Sequence, residues 1–439
     1  MSFYSASVTT RLIDPVFNQV NTRCEFRMPS DTVLLSNMRL LNVGVTSALL
    51  GTARYNHLVG ALGCITAIRL LDGNQVLDSI NDVNRWIAFK NYTKNNTVCS
   101  NLNNSLTQNA LGYVYDEPSA YLIKTEGDLE PVFDEKSEFS KIVPFKVSGD
   151  IAHLEENTTS AWLSLRDLFP FLNAVVNVNT SVFKNLRLVI EWSKNLTDYA
   201  IELNETEGLV HKFTTLLPLL VVDELTEDTP LKKSIMAKFE PISYVTIEQD
   251  RVTAPVVVGT ETKSQTFQIL GFNNKKVGRV CVQKVRPPNS THASNLLGFI
   301  GSPSMIDESH QWRINGSNLY PYSISHANEL LALQNDVWGV SCQPLGGAPY
   351  MGVERPLSDE GETEIQLHFP GAFDLLGETS YICANFHGQT VKELQFTYSR
   401  RGILDDSRYN EKLTLLMYAE VQRVIVPSKN KNGYVISYL

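Results

Sequence analysis

One arrangement of elements occurs twice in this chain, and it limits the possible folds more than any single motif does. In the first half, Leu70-Leu-Asp-Gly-Asn-Gln-Val-Leu77 leads into a helical pattern over Ile80–Tyr92 and then a polar loop over 93–118. In the second half, Trp312-Arg-Ile-Asn-Gly-Ser-Asn-Leu319 leads into a helical pattern over Ser325–Trp338 and then a Gly/Pro-rich loop over 339–361. Each copy sets an Asx-Gly pair between strand-like residues, and Asx-Gly suits a two-residue hairpin because both central residues tolerate positive φ. Between the copies, Asp223–Lys233 is charged and turn-forming, which predicts a linker. The order of elements repeats, although the residues themselves are mostly different.

The rest of the chain reads mainly as strand. Alternating or β-branched runs bounded by Gly, Pro, Asn and Asp occur at Met38–Val45, Cys64–Leu71, Ile142–Val147 and Leu186–Trp192. In the second half they occur at Tyr244–Gln249, Thr266–Phe272, Val277–Val285, Glu364–Phe369, Tyr381–Phe386, Glu393–Tyr398 and Leu413–Pro427, the last either one long strand or two. Helical spacing is confined to Ile80, Val83, Trp86 or Ile87, and Phe89 or Lys90 in one copy and Ala327, Leu330, Leu331, Leu333 and Val337 in the other, where Ser325 is placed to cap. Leu163–Leu172 predicts one helical turn before Pro170. Its apolar residues read either as a buried connection or as a plug facing another subunit. Two tandem β-units of about 200 residues each follow, and the eight-stranded jelly roll fits that size and strand density. The expected fold is all-β, two tandem eight-stranded jelly-roll sandwiches with a few short helices in the loops.

Composition excludes several classes. The 439 residues are 43% hydrophobic and 19% charged with a net charge of −9, which is too apolar for disorder and too poorly charged for a long coiled coil. The acidic balance argues against a coat held to nucleic acid by bulk charge, and no sequence-specific nucleic-acid contact is expected. The first residues, Met1-Ser-Phe-Tyr-Ser, lack the basic and apolar regions of a secretion signal. The longest apolar stretch, Leu216–Val222, is far short of the roughly 20 residues of a membrane helix, so no transmembrane segment is expected. Cys24, Cys64, Cys99, Cys281, Cys342 and Cys383 form no CxxC and are read as reduced thiols, and the Asn-x-Ser/Thr matches, such as Asn91-Tyr-Thr93, as chance.

A search for chemistry identifies no catalytic, cofactor-binding or metal-binding residues. Phosphate-loop, dinucleotide, nucleophile-elbow and zincin motifs are absent. The histidines at 57, 153, 211, 292, 310, 326, 368 and 387 have no partner at ligand spacing, and His368 and His387 lie in strand patterns as core or interface residues. The acidic run 359–364 reads as a solvated loop tip, with a calcium site as the sharper alternative. Arg400-Arg401, Lys232-Lys233, Lys275-Lys276 and Lys429–Lys431 read as ordinary surface charge.

Four segments in this order resemble a known family: Leu70–Leu77 with the Trp86 helix, Leu165-Arg-Asp-Leu-Phe-Pro-Phe-Leu172, Leu186-Arg-Leu-Val-Ile-Glu191 and Trp312-Arg-Ile-Asn-Gly316. They resemble the double jelly-roll major capsid proteins of polintons, adintoviruses, polinton-like viruses and virophages. The resemblance implies two jelly rolls standing side by side in a homotrimer of pseudo-hexagonal outline that tiles an icosahedral shell in the virion. It implies an N-terminal arm over 1–20, jelly rolls over 21–225 and 226–427, and a C-terminal tail over 428–439. Loops 93–118 and 339–361 become candidates for outward towers and subunit contacts. Partners are further copies of the chain, penton and minor capsid proteins, and the chain is made in the host cytosol. No enzymatic activity is expected. A tandem β-sandwich binding module, a lectin or adhesin, is the alternative, and a glycoside hydrolase on a β-sandwich ranks behind it.

Overall fold

The computed structural model describes residues 8–47, 53–55, 60–92, 161–194, 196, 201–203, 213–225, 230–285, 308–325, 327–338, 351–356, 363–368, 381–402, 413–428 and 433–439. Among them every strand pairing is antiparallel. In the first half, a six-stranded sheet runs Ala161–Ser164, Arg39–Val43, Leu219–Leu225, Val33–Leu35 and Asn177–Asn179, with Val8–Ile13 on the other side of Leu219–Leu225. The second sheet runs Phe17–Gln19, Arg23–Arg27, Leu186–Trp192, Ile65–Asp72 and Gln75–Asn81. Hairpin neighbours sit beside pairs distant in sequence, as when Leu186–Trp192 lies between Arg23–Arg27 and Ile65–Asp72.

In the second half, one sheet runs Ile242–Ala254, Leu413–Pro427, Lys275–Val285 and Tyr381–Val391, with Tyr434–Tyr438 on Leu413–Pro427. The other runs Thr262–Gln268, Leu394–Arg401, Glu308–Ile314 and Ser317–Asn318. Leu413–Pro427 is a single strand of 15 residues. Its apolar run is nearly continuous because both faces are buried, in two different cores. Leu413, Leu415, Met417, Ala419 and Val421 pack inside the second sandwich with Trp312 and Phe396, whereas Leu416 and Tyr418 pack into the core of the first. A strand's period of two makes that division, and Cys281 and Cys383 follow it toward the first core while Val280 and Ala384 face the second.

The two hairpins differ in their turns. Asn315 and Gly316 both have positive φ, 51° and 85°, and connect the paired residues Ile314 and Ser317 as the Asn-Gly dipeptide predicts. In the first half, Asp72 pairs with Gln75, so the loop is Gly73-Asn74 and not Asp72-Gly73. Only Gly73, at φ 58°, is left-handed, in the first central position that a II′ turn reserves for glycine.

The helices start later than the periodicity suggested, at Val83–Tyr92 and Ala327–Trp338, because Ile80 and Asn81 still belong to the hairpin. The backbone N–H of Ser325, two residues before the helix, donates to Glu329 at 3.4 Å. Leu163–Leu172 is the buried connection: Leu163, Leu165, Leu168, Phe169, Phe171 and Leu172 are all buried within this chain, which removes the plug reading. Pro170 ends the turn Leu165–Leu168 and also opens a second one, Pro170–Ala174, at the position where its missing N–H costs nothing.

Other expectations need revision. Asp223 and Glu224, read as linker, lie in a strand and are buried. Asp223 accepts from Thr10 Oγ1 at 2.6 Å and Asn37 Nδ2 at 2.7 Å, and Glu224 accepts from Thr32 Oγ1 and pairs with Arg11, each at 2.6 Å. The linker's Pro230 begins a helix, Pro230–Ala237. Of the N-terminal stretch 1–20, Val8–Ile13 and Phe17–Gln19 are edge strands, and the tail adds the strand Tyr434–Tyr438. The loop 339–361 contains the strand Met351–Pro356, paired with Thr363–His368. Loop 93–118 and the run Ile142–Val147 lie outside the described residues.

Candidate functional site

The two halves meet along a seam of polar and aromatic side chains. Strand Gln75–Asn81 pairs on one side only, with Ile65–Asp72, and its other side meets the second half. Side chains, not another strand, occupy the carbonyls there. Tyr244 donates its hydroxyl to the Leu77 carbonyl, and Arg423 Nη1 reaches the same oxygen at 3.3 Å. Backbone groups left bare in a buried contact are costly, and covering an edge also blocks stray strand addition.

Asp78 sits at the centre, fully buried. Oδ2 accepts from the Phe171 backbone N–H at 2.9 Å, and Oδ1 accepts from Thr246 Oγ1 at 2.8 Å and the Ser79 N–H at 3.0 Å. One carboxylate thus ties the hairpin and the Leu163–Leu172 connection to the second half. Burial pushes its pKa up to about 6, against the opposing pull of those bonds and of Arg423. Toward the ends of the seam, Tyr434 donates to Asp72 at 2.8 Å and Gln249 to Asp82 at 2.5 Å.

Aromatic packing completes the seam. Trp86 lies 5.1 Å from Tyr418 and 6.0 Å from Trp338, centroid to centroid, and Phe89 lies 5.2 Å from Trp338. Phe171 meets Tyr244 edge-on at 5.4 Å, and Phe183 packs on Tyr434 at 4.9 Å. The two periodic helices therefore meet each other, Trp86 and Phe89 from one against Trp338 from the other. Such a seam can hold two sandwiches in one fixed relative orientation.

The outer surface differs. Strand Val8–Ile13 is exposed over its four central residues, and Leu12, Val16, Phe17 and Val20 place four large apolar side chains on the surface within nine residues of chain. Val435, Tyr438 and Leu439 do the same near the C-terminus. A further polar cluster lies inside the second sandwich, where Lys284 and Glu308 pair at 2.7 Å with almost no exposure. His310 beside them is buried, and burial together with Lys284 drives its pKa down to about 3.

His310 was not distinguished from the other histidines in the sequence, although its place in an alternating run before Trp312 is a usable signal. His387 lies within the strand Tyr381–Val391, as its pattern suggested, but is exposed, at φ 53°, and so is not a core residue. His368 lies in a paired strand, and the remaining five histidines fall outside the described residues. Arg400 is not surface charge: it is wholly buried and donates to the Pro255 carbonyl at 2.6 Å, while Arg401 is exposed. Lys275 is also partly covered, donating to the Gly271 carbonyl at 2.7 Å and lying over the Tyr438 ring at 4.5 Å. Cys24, Cys64, Cys281 and Cys383 are free and buried, and burial holds the Cys24 thiol near 12. Residues 359–362 of the acidic run lie outside the described residues, and among the described residues no group of His, Cys, Asp or Glu is arranged to hold a metal ion. No helix of the described residues is long and apolar enough to cross a membrane.

No protein-family model matches the chain, and no curated protein matches it by sequence. Solved structures do. A chain of the Sputnik virophage determined by cryo-EM is 10% identical, with 99% of this chain and 88% of that chain covered and a TM-score of 0.56. The mavirus major capsid protein is 10% identical over 98% of this chain and 90% of that one, at a TM-score of 0.54. The VP54 protein of PBCV-1, fitted into a reconstruction of Sputnik, is 10% identical over 98% and 97%, at 0.50. At this identity the likeness is one of fold, and it covers nearly the whole chain: the fold is all-β, the double jelly roll of virophage capsid proteins.

Proposed function

We propose that this chain is a viral major capsid protein, which trimerises into pseudo-hexameric capsomers that tile an icosahedral shell. The observation that carries the reading is the seam. A shell subunit transmits load between neighbours, so its two sandwiches must not rotate against each other. Here the Asp78 network, the side-chain-capped edge strand and the Trp86–Tyr418–Trp338 cluster resist that rotation. The likeness to the mavirus major capsid protein over nearly the full length supports the same reading. Exposed edge strands with apolar side chains near both termini, Val8–Gln19 and Tyr434–Leu439, suit contacts between copies.

In this reading residues 21–225 and 226–427 are the two jelly rolls, and 1–20 and 428–439 are terminal extensions whose strands Val8–Ile13, Phe17–Gln19 and Tyr434–Tyr438 lie on sheet edges. The chain acts as a structural protein and not as an enzyme, resides in the virion, and takes copies of itself, penton proteins and minor capsid proteins as partners. Light scattering coupled to size-exclusion chromatography, with negative-stain images of the same peak, tests this. A mass of three chains with hexagonal outlines is expected. A monodisperse monomer at micromolar concentration would overturn it and turn attention to the tandem-sandwich binding module, for which a glycan array is the next measurement.

A further inference from the structure

Cys281 and Cys383 are direct partners in the ladder that joins Lys275–Val285 to Tyr381–Val391. Ladder partners point to the same side of a sheet, and both thiols turn toward the core of the first half, fully buried. They lie within hydrogen-bond reach of each other. Cys24, by contrast, has Asn18 and Ile190 as its ladder partners. On the other side of Cys281 stands Tyr418, and the ring of Trp86 from the first half lies 5.1 Å from it. The thiol pair is therefore covered by the first half and belongs to the seam.

Side chains directly opposite in an antiparallel pair have Cβ atoms about 4.5–5.5 Å apart, and a disulfide asks for about 3.5–4.5 Å. The two sulfurs can thus bond after an approach of about 1 Å. Thiol–disulfide exchange needs a thiolate, and burial pushes the Cys281 thiol well up, so the pair is inert while the seam is closed. We propose that Cys281 and Cys383 form a cross-strand disulfide by exchange with a low-molecular-weight disulfide that enters when the seam between the halves opens. The first thiol to lose its proton to solvent attacks the reagent and expels one thiol. The second, deprotonated in turn, displaces the other, so that two electrons pass to the reagent and one S–S bond joins the strands. The link fastens Tyr381–Val391, the outer strand of its sheet, to Lys275–Val285. The proposal is independent of the capsid reading, since it rests on strand register and burial alone.

The test incubates the reduced full chain with oxidised glutathione, both without urea and in urea below the unfolding transition. Free thiols are then blocked in denaturant, and the digested peptides are mapped by mass spectrometry. A peptide pair joining Cys281 to Cys383, lighter by two hydrogens than the reduced peptides, is expected at least fivefold above any other pairing of the six cysteines. The link should form at least fivefold faster in urea. Recovery of Cys281 and Cys383 as thiols or as separate glutathione adducts under both conditions overturns the disulfide, as does their joining no more often to each other than to Cys99 and Cys342. An equal rate with and without urea overturns the gating by the seam.

Discussion

Replacing Asp78 by Ala tests whether one buried carboxylate holds the two halves together. The substitution removes the acceptor for the Phe171 N–H and the Thr246 hydroxyl, both buried, and for the Ser79 N–H. Each buried donor left without a partner costs about 1–3 kcal/mol, so the two buried ones together cost about 2–6 kcal/mol. Part of this is offset because the carboxylate is itself desolvated. Its folded pKa of about 6 lies above the unfolded value of 3.8. The folded state thus prefers the protonated acid, and Asp78 contributes most to stability below the unfolded value, losing that contribution as pH rises through about 6. By pH 7 the loss approaches about 3 kcal/mol. D78A is therefore expected to cost little at pH 7, about 1–2 kcal/mol, and about 3–5 kcal/mol at pH 4.5, where the wild-type side chain is largely protonated and still hydrogen-bonded. Urea unfolding followed by tryptophan fluorescence, at one protein concentration and at both pH values, reads the difference. An equal cost at the two pH values would refute the desolvation argument, and a cost below about 0.5 kcal/mol at both would refute the seam role.

Other substitutions probe neighbouring parts of the structure. W86A removes the aromatic shared by both helices and Tyr418 and should cost about 3–5 kcal/mol in the same assay, whereas W86F should cost clearly less. E308A leaves Lys284 charged and buried and is expected to cost about 3–5 kcal/mol, while the double replacement K284M/E308L should be near neutral, as a double-mutant cycle would show. His310 titrates near 3 when folded, below its usual 6.5, so its contribution is present above 6.5 and is lost as pH falls. That loss is about 2 kcal/mol by pH 5, and H310F should show a flatter stability profile between pH 7 and 5 than the wild type.

The strands and the duplication were legible because alternation and Asn-Gly chemistry are local. Leu186–Trp192 and Leu413–Pro427 were bounded correctly from the sequence, since both are bordered by residues that break or cap a strand. The seam was not legible. Asp78 lies in an ordinary hairpin strand, and its partners Phe171 and Thr246 are 93 and 168 residues away. Asp223, Glu224 and Arg400 read as surface because charge is usually solvated, and only their distant partners, such as Thr10 for Asp223 and Pro255 for Arg400, make burial tolerable.

An all-β fold in two similar halves is written in local residue patterns, because the period of two and the turn residues act over a few positions of chain. The tertiary structure alone decided how the halves join. The nearly continuous apolar run of Leu413–Pro427 does not say what covers each face, and only contact with Trp86 and the first core shows that the second face is buried there. Burial is a property of what lies across the interface, and no local pattern carries that information.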